Sequence, residues 1–290
     1  MSRVFDDLVS KLHRMVGKMA FNSRNIWVNG IRTHFLEAGD AKETLVMLHS
    51  AEFSGSAEFS WKYNIDALAT KFHVYCPDMV GFGKTEKVFD FENPNGFRLG
   101  QLRAWMDALG IGKAHFMGCS WSANQLLSVA ASHSNIFEID RIVAVSGGYG
   151  PNMDVRKALT AYVPTKENMK SLLKILFNNE KWFTDPYLEN RYRASIDVGA
   201  WEAVAAARFG PPGQEKPWKG IGASVDYSRI EKDLLLVGGS MDELAPPEAI
   251  KEIHTRTKNS EMRIFPDSKH CPQIECSQEF NELAISFLSR

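Results

Sequence analysis

A serine, an aspartate and a histidine in this 290-residue chain each follow an apolar run of strand-like composition. Ser120 lies at the tip of "AHFMGCSWSANQLL", Asp242 comes after "DLLLVGG", and His270 comes after "MRIFPD". A serine hydroxyl becomes a nucleophile when a base within hydrogen-bond reach takes its proton and an acid orients that base. The three residues therefore predict a catalytic triad for acyl transfer.

Each member of this triad has a plainer interpretation when it is taken alone. A serine between small residues is common by chance, and a loop histidine is usually only solvated. Asp242 and Glu243 could be two surface carboxylates. Three candidates that each follow a strand, in the order serine, acid, histidine, favour the catalytic interpretation.

The stretch around Ser120 has the form of a sharp turn between a strand and a helix. The positions two before and two after the serine must be small in such a turn, and here they are Gly118 and Ser122. Ser122 stands where glycine is commoner. The helix that follows presents free N–H groups near the serine, so the backbone N–H of Trp121 is a predicted oxyanion donor.

A second oxyanion donor should come from the turn after an earlier strand. The run "LVMLH" ends at His49 and is followed by Ser50 and Ala51, either of whose backbone N–H groups could serve. We predict no catalytic role for His49, because a histidine at a strand end can stabilise a turn.

Short β-rich runs alternate with helical patterns from about residue 25. Several of the runs are apolar throughout, as in a parallel sheet that is covered by helices on both faces. The predicted strands are "IWVNGIRTHFLEAG", "TLVMLH", "FHVYCPD", "AHFMGC", "RIVAVSG", "DLLLVGG" and "MRIFPD".

The alternation stops between two of these strands. Residues 151–225 are helical and aromatic in pattern, which predicts a helical cap inserted into an α/β core formed by residues 25–150 and 226–290. Residues 1–24 have apolar side chains at helical spacing and predict an amphipathic helix that packs on the core or on a second subunit, as in a homodimer. Attachment to a membrane surface is the alternative.

Composition excludes several classes of function. The net charge of −1 gives no electrostatic reason to expect nucleic acid as a partner. No apolar run is long enough to span a bilayer, and no secretory signal is evident. The four cysteines match no zinc spacing, and no phosphate-binding or dinucleotide-binding turn occurs, so we expect a cytoplasmic protein without metal or organic cofactor.

Several motifs resemble those of one family. "GCSWSA", "PDMVGFGKTEK", "VSGGYGPNM", "DPYLENRYRA", "GGSMDELAPPEA" and "DSKHCPQIECSQEF" are similar to segments of the meta-cleavage product hydrolases, which have the α/β-hydrolase fold. Those enzymes cleave a carbon–carbon bond in vinylogous 1,5-diketones made by ring-opening of catechols. The resemblance implies a mostly parallel central sheet, flanking helices and an inserted helical cap.

The resemblance also implies roles for substrate-binding residues. The arginine of the cap motif falls on Arg191, which would bind a substrate carboxylate; an ion pair with Glu189 or Asp185 is the alternative. Cys119 and Cys271 stand at pocket positions where the family usually has an asparagine and an aromatic residue. The family's glycine-rich oxyanion loop reads "HSAEFSGSAEFSW" here.

Two acidic side chains lie in or near that loop. Glu52 and Glu58 could be exposed to solvent, or Glu52 could form an ion pair that fixes the loop. An acid without a partner there would repel an anionic substrate.

The predicted function is a serine hydrolase that cleaves a C–C bond in an aromatic ring-fission product or a related diketone. The aromatic cap predicts a largely apolar small-molecule substrate with a polar or carboxylate handle. A carboxylesterase, lactonase or thioesterase with the same triad is the first alternative. A cofactor-free lyase or oxygenase is the second, and a non-catalytic binding protein the third, since a fold alone does not fix the chemistry.

Overall fold

The computed structural model describes residues 21–148, 152–209 and 225–290. These residues form one sheet of eight strands in the spatial order β1-β2-β4-β3-β5-β6-β7-β8. The sheet is antiparallel at its first two pairings and parallel from β4 to β8. The strands are β1 (Asn22–Val28), β2 (Ile31–Ala38), β3 (Thr44–Leu48), β4 (His73–Pro77), β5 (Ala114–Cys119), β6 (Ile139–Val145), β7 (Asp233–Gly239) and β8 (Ser260–Phe265).

The first predicted strand is a hairpin of two strands. Asn29 and Gly30 connect β1 to β2, and both residues have positive φ, at 53° and 75°. A two-residue turn of this kind matches the twist of the strands that it joins, and Asn-Gly is its preferred sequence. The prediction of one continuous strand was therefore wrong at this dipeptide.

Helices cover both faces of the sheet, as the apolar strands predict. One apolar cluster joins Trp105, Leu126 and Ile250 to one sheet face, and a second joins Trp61 and Phe280 to the other. In the described part of the chain, the α-helices outside the insertion are α1 (Ala57–Trp61), α2 (Ile65–Leu68), α3 (Pro94–Ala108), α4 (Trp121–Ala131), α9 (Pro247–Arg256), α10 (Pro272–Glu275) and α11 (Ser277–Leu288). The predicted mostly parallel α/β architecture is confirmed.

Between β6 and β7 lies a group of helices that we call the helical insertion, described over residues 152–209. Its helices are α5 (Met153–Thr160), α6 (Lys166–Leu176), α7 (Tyr187–Ser195) and α8 (Ala200–Ala205). They share an apolar cluster that includes Met169, Phe177 and Trp182, and Phe53 and Ile274 from outside the insertion join it. The insertion therefore packs on segments that follow β3 and β8, at the carboxyl ends of the parallel strands.

Part of the predicted organisation falls on undescribed residues. An N-terminal helix is predicted over residues 1–24, and residues 1–20 of it lie outside the described residues. Residues 22–24 of the predicted helix belong instead to β1. Residues 149–151, which include the predicted start of the cap, and residues 210–224, which stop one residue before its predicted end, are also outside them. No helix within the described ranges is both long and apolar enough to cross a membrane.

Candidate active site

The predicted site residues lie after four strands of the parallel part of the sheet. β3 and β5 are neighbours, and Leu48 pairs with Gly118. Ser50 and Ser120 therefore follow these strands at the same end of the sheet, where the strands have their carboxyl ends. Asp242 follows β7, and His270 follows β8, which pairs with β7. The carboxyl ends of parallel strands are where α/β proteins bind ligands.

The turn from β5 into α4 holds Ser120 in an unusual backbone conformation. Its φ is +57° and its ψ is −115°. Gly118 allows this turn, because a Cβ there would lie 2.8 Å from the backbone nitrogen of Ala123 and 2.9 Å from a methyl group of Leu126. Strained serines of this kind occur at the nucleophile turns of hydrolases, where the strain presents the hydroxyl group.

The three predicted triad residues are in contact. His270 Nε2 lies 2.8 Å from Ser120 Oγ, and His270 Nδ1 lies 2.8 Å from Asp242 Oδ2. The other carboxylate oxygen of Asp242 accepts hydrogen bonds from the backbone N–H groups of Leu244 and Ala245, at 2.9 and 3.1 Å. These bonds fix the acid, and the acid in turn orients the imidazole.

The imidazole of His270 is buried beside a carboxylate. Burial alone would lower its pKa, but the charge of Asp242 and the hydrogen bond to it raise the pKa to about 9. Cys119 and Glu52 also raise this pKa. A strongly basic imidazole takes a hydroxyl proton readily once it is itself deprotonated.

Two backbone N–H groups next to the serine donate to no acceptor within the described residues. They belong to Trp121, the first residue of α4, and to Ala51 in the loop after β3. The N–H of Ser50 makes a long hydrogen bond of 3.4 Å to Ser60 Oγ. Ala51 is thus better placed than Ser50 to be the second oxyanion donor, and both assignments stay predictions.

Ser122 and His49 connect the two segments that carry these N–H groups, which are the start of α4 and the loop after β3. The Ser122 hydroxyl donates to the carbonyl oxygen of His49, and so joins the first turn of α4 to the loop after β3. His49 accepts the Met79 N–H at Nε2, at 2.9 Å, and its Nδ1 donates to the Ser50 carbonyl, at 2.7 Å. The serine in place of glycine therefore has a structural role, and His49 stabilises its turn, as the sequence suggested.

Arg191 lies in α7 and pairs with Glu52 of the loop after β3. Its Nη2 donates to Glu52 Oε1 at 2.8 Å, and the two side chains are only 1% and 5% exposed. The alternative partner Glu189 instead contacts Arg193 and Lys166. Exposure of Glu52 to solvent was therefore the wrong alternative, and its ion pair is present.

Glu58 differs from Glu52 in its surroundings. Its side chain is 40% exposed, and its carboxylate lies 3.9 Å from the Lys84 ammonium group. A surface contact of that length contributes little to stability.

Cys119 directly precedes Ser120, and Cys271 directly follows His270. Cys119 is fully buried and accepts a hydrogen bond of 3.4 Å from Gln273 Nε2. A hydrogen bond with Cys119 and burial raise the pKa of the Cys271 thiol, which therefore stays protonated. Their predicted contact with substrate stays a prediction. In the described parts of the chain, no cluster of three or more His, Cys, Asp or Glu side chains could hold a metal.

Sequence analysis missed a carboxylate that joins the insertion to the loop carrying His270. Glu275 Oε1 accepts the N–H groups of Asn178 and Asn179, both at 2.9 Å, and Glu275 Oε2 accepts the Lys269 N–H at 2.9 Å. The N–H of His270 itself donates to the Leu176 carbonyl at 3.0 Å. Nothing in the composition around Glu275 distinguishes it from a surface acid.

Comparisons with known proteins agree with this fold. A family model described as alpha/beta hydrolase fold matches residues 43–276, which is more than half of the chain. The chain is 28% identical over 269 residues to a 2-hydroxymuconate semialdehyde hydrolase of a Pseudomonas species, covering 92% of this chain and 93% of the relative.

Two further relatives belong to the same kind of enzyme. A 2-hydroxy-6-oxo-6-(2'-aminophenyl)hexa-2,4-dienoic acid hydrolase of Metapseudomonas resinovorans is 27% identical, over 93% of this chain and 92% of the relative. The solved structure of a meta-cleavage product hydrolase from Pseudomonas fluorescens superposes with a TM-score of 0.82 at 27% identity, over 92% of this chain and 97% of that one. The chain therefore belongs to the α/β-hydrolase-fold family and resembles the meta-cleavage product hydrolases within it.

Proposed function

We propose that the protein is a serine hydrolase that cleaves a carbon–carbon bond in a diketone related to the products of aromatic ring fission. One observation carries the proposal: the 2.8 Å contacts from Ser120 to His270 and from His270 to Asp242, with the serine on a strained turn at a helix N-terminus. Such an arrangement activates a hydroxyl group for attack on a carbonyl carbon.

In the first step Ser120 Oγ attacks the substrate carbonyl while His270 Nε2 takes the hydroxyl proton. Asp242 stabilises the imidazolium that forms. The carbonyl oxygen becomes an oxyanion, and the N–H groups of Trp121 and Ala51 would donate to it.

In the second step the tetrahedral intermediate collapses and the carbon–carbon bond breaks. The carbon fragment leaves as an enolate, which the neighbouring ketone stabilises, and His270 returns the proton to it. A water molecule, deprotonated by His270, then hydrolyses the acyl group from Ser120 and regenerates the hydroxyl.

The assignment of the bond type draws on the relatives. Their names specify hydrolysis of 2-hydroxymuconate semialdehyde and of a 2-hydroxy-6-oxo-hexadienoic acid, both of which require C–C cleavage. The aromatic cluster of the helical insertion supports a largely apolar small-molecule substrate. Fold membership alone is equally compatible with ester chemistry, so the bond type needs a direct test.

The proposal includes the organisation of the chain. Residues 25–150 and 226–290 would form the catalytic core, and residues 151–225 a cap that excludes water from Ser120. Residues 1–24 would pack on the core or on a second copy of the chain, in the cytoplasm and without a nucleic-acid or membrane partner. Light scattering of the purified protein, with and without residues 1–20, would measure the assembly state.

A substrate panel tests the function. Purified protein is offered a coloured ring-fission dienone, uncharged 1,5- and β-diketones, and 4-nitrophenyl esters, and Ser120→Ala is the control. We expect Ser120-dependent cleavage of a diketone with a higher kcat/KM than that of any ester. A clear preference for the esters would replace the C–C assignment with an esterase, and activity that survives Ser120→Ala would contradict both.

A further inference from the structure

The ion pair of Glu52 and Arg191 is buried beside the catalytic residues. Glu52 directly follows Ala51, the candidate oxyanion donor, and its charge is close enough to raise the pKa of His270. The guanidinium carbon of Arg191 lies 4.8 Å from the centre of the Phe59 ring. The pair therefore spans the space between the loop after β3 and the helical insertion.

Both members of the pair are charged at neutral pH. Burial would raise the pKa of Glu52, but the charge of Arg191 and its hydrogen bond lower it overall. The nearby Tyr187 hydroxyl is neutral, because burial raises its pKa. The guanidinium thus already has an anionic partner supplied by the protein.

A carboxylate on the substrate would be a second anion for one guanidinium. It would enter a region where Glu52 and Asp242 are already negative and where the active form of His270 is neutral. A buried charge without full compensation is costly, and breaking an existing buried pair is costly as well. An uncharged substrate incurs neither cost.

We propose that Glu52 determines substrate specificity: by neutralising Arg191 it makes the site select substrates without a carboxylate near the oxyanion loop. The preferred class is an uncharged diketone, or an uncharged ester where ester turnover is measured. This inference rests on the proposed serine hydrolase activity. In this respect the site differs from one whose arginine is free to bind a substrate carboxylate, which is the role that the family resemblance implies for Arg191.

Matched ester pairs test the charge preference in the unaltered protein. 4-Nitrophenyl pentanoate and hexanoate are compared with mono-4-nitrophenyl glutarate and adipate, which place a carboxylate at the end of an acyl chain of the same length. We expect kcat/KM to be at least about tenfold higher for the neutral member of each pair, about 1.4 kcal/mol. Equal or higher values for the charged esters would overturn the proposal.

The variant Glu52→Gln frees the guanidinium while keeping the side-chain size. We expect it to move the charged-to-neutral ratio of kcat/KM toward the charged ester by about tenfold or more. The ratio cancels any effect on general activity. Glu58→Gln is the matched control, since Glu58 lies in the same stretch but is 40% exposed, with its carboxylate 3.9 Å from Lys84, and it should leave the ratio unchanged.

A binding measurement distinguishes failure of the charge proposal from failure of the proposed hydrolase function. Wild-type affinities for hexanoate and hexanamide are measured by calorimetry, which requires neither turnover nor a folded variant, and the amide should bind at least about tenfold more tightly. Tighter binding of hexanoate would refute the charge proposal even if no ester is hydrolysed. Loss of Ser120-dependent turnover together with tighter binding of the amide would instead refute the proposed function alone.

Discussion

Two sets of serine, histidine and aspartate in this protein have almost the same internal geometry. Besides the set at Ser120, Ser23 Oγ lies 2.8 Å from His34 Nε2, and His34 Nδ1 lies 2.7 Å from Asp78 Oδ2. We call these the elbow set and the strand set. The acid of the strand set also accepts two backbone N–H groups, as Asp242 does.

The two sets differ in the backbone around the serine. Ser120 has positive φ and precedes a helix, whereas Ser23 lies inside β1 and pairs with Leu36 in an antiparallel ladder. A cavity of about 110 Å³ touches His34 and Asp78 but not Ser23. Within the described residues, the strand set therefore offers no helix N-terminus to an oxyanion. Side-chain distances alone do not define an active site; the donors around the nucleophile do.

Replacing each serine with alanine gives the largest expected contrast. Ser120→Ala should lower kcat by about 10⁴-fold or more, because the nucleophile is lost. Ser23→Ala removes one partly exposed hydrogen bond, so kcat should stay within about twofold and the free energy of unfolding within about 1 kcal/mol. Steady-state kinetics and urea denaturation measure both. A comparable loss of kcat in Ser23→Ala would contradict the distinction between the sets.

Replacing each acid separates catalysis from stability. Asp242→Asn should lower kcat by about 10³- to 10⁴-fold, since the imidazole loses its orientation and its stabilising charge. Asp78 is buried and holds the N–H groups of Ala57 and Lys84, so Asp78→Asn should reduce the free energy of unfolding by about 3 kcal/mol. Its kcat should fall less than about tenfold. The distinction would be contradicted if Asp242→Asn lost stability and Asp78→Asn showed the larger loss of kcat. Asp78 would then be the acid needed for catalysis, and Asp242 the one needed for stability.

The pH dependence of kcat/KM gives a smaller effect that belongs to the elbow set alone. His270 must be neutral to accept the proton, and its pKa is raised to about 9, so kcat/KM for a neutral ester should increase with pH up to about that value. Glu52 contributes to this raised pKa, together with Asp242 and Cys119. Glu52→Gln should therefore shift the profile to lower pH. An unshifted profile in a folded variant would show that Glu52 is too distant to affect the base.

Sequence reasoning predicted the elbow set because each member follows a strand of one parallel sheet. The chain order and the strand ends together determine where Ser120, Asp242 and His270 meet. The strand set was missed, because Ser23 was assigned to the predicted N-terminal helix and the hairpin that brings it diagonally to His34 was interpreted as one strand. The Asn29–Gly30 dipeptide was the available signal for that hairpin.

The partners of charged residues were less predictable. Arg191 has acidic neighbours in sequence, yet it pairs with a residue 139 positions away. That choice depends on how the insertion packs over the loop after β3, which no local pattern encodes. Glu275 was missed for the same reason, because its four donors come from two segments that are distant in the chain.

The carboxylate of Glu275 has a mechanical consequence. It holds Asn178 and Asn179 together with Ser268 and Lys269, so the corner of the insertion and the loop of the base behave as one joint. If the helical insertion tilts to admit a molecule, this joint would be the fulcrum, because it ties the corner of the insertion to the loop that carries His270. Admission and release of molecules would then leave His270 Nε2 within hydrogen-bond distance of Ser120 Oγ, because the pivot lies next to His270 itself.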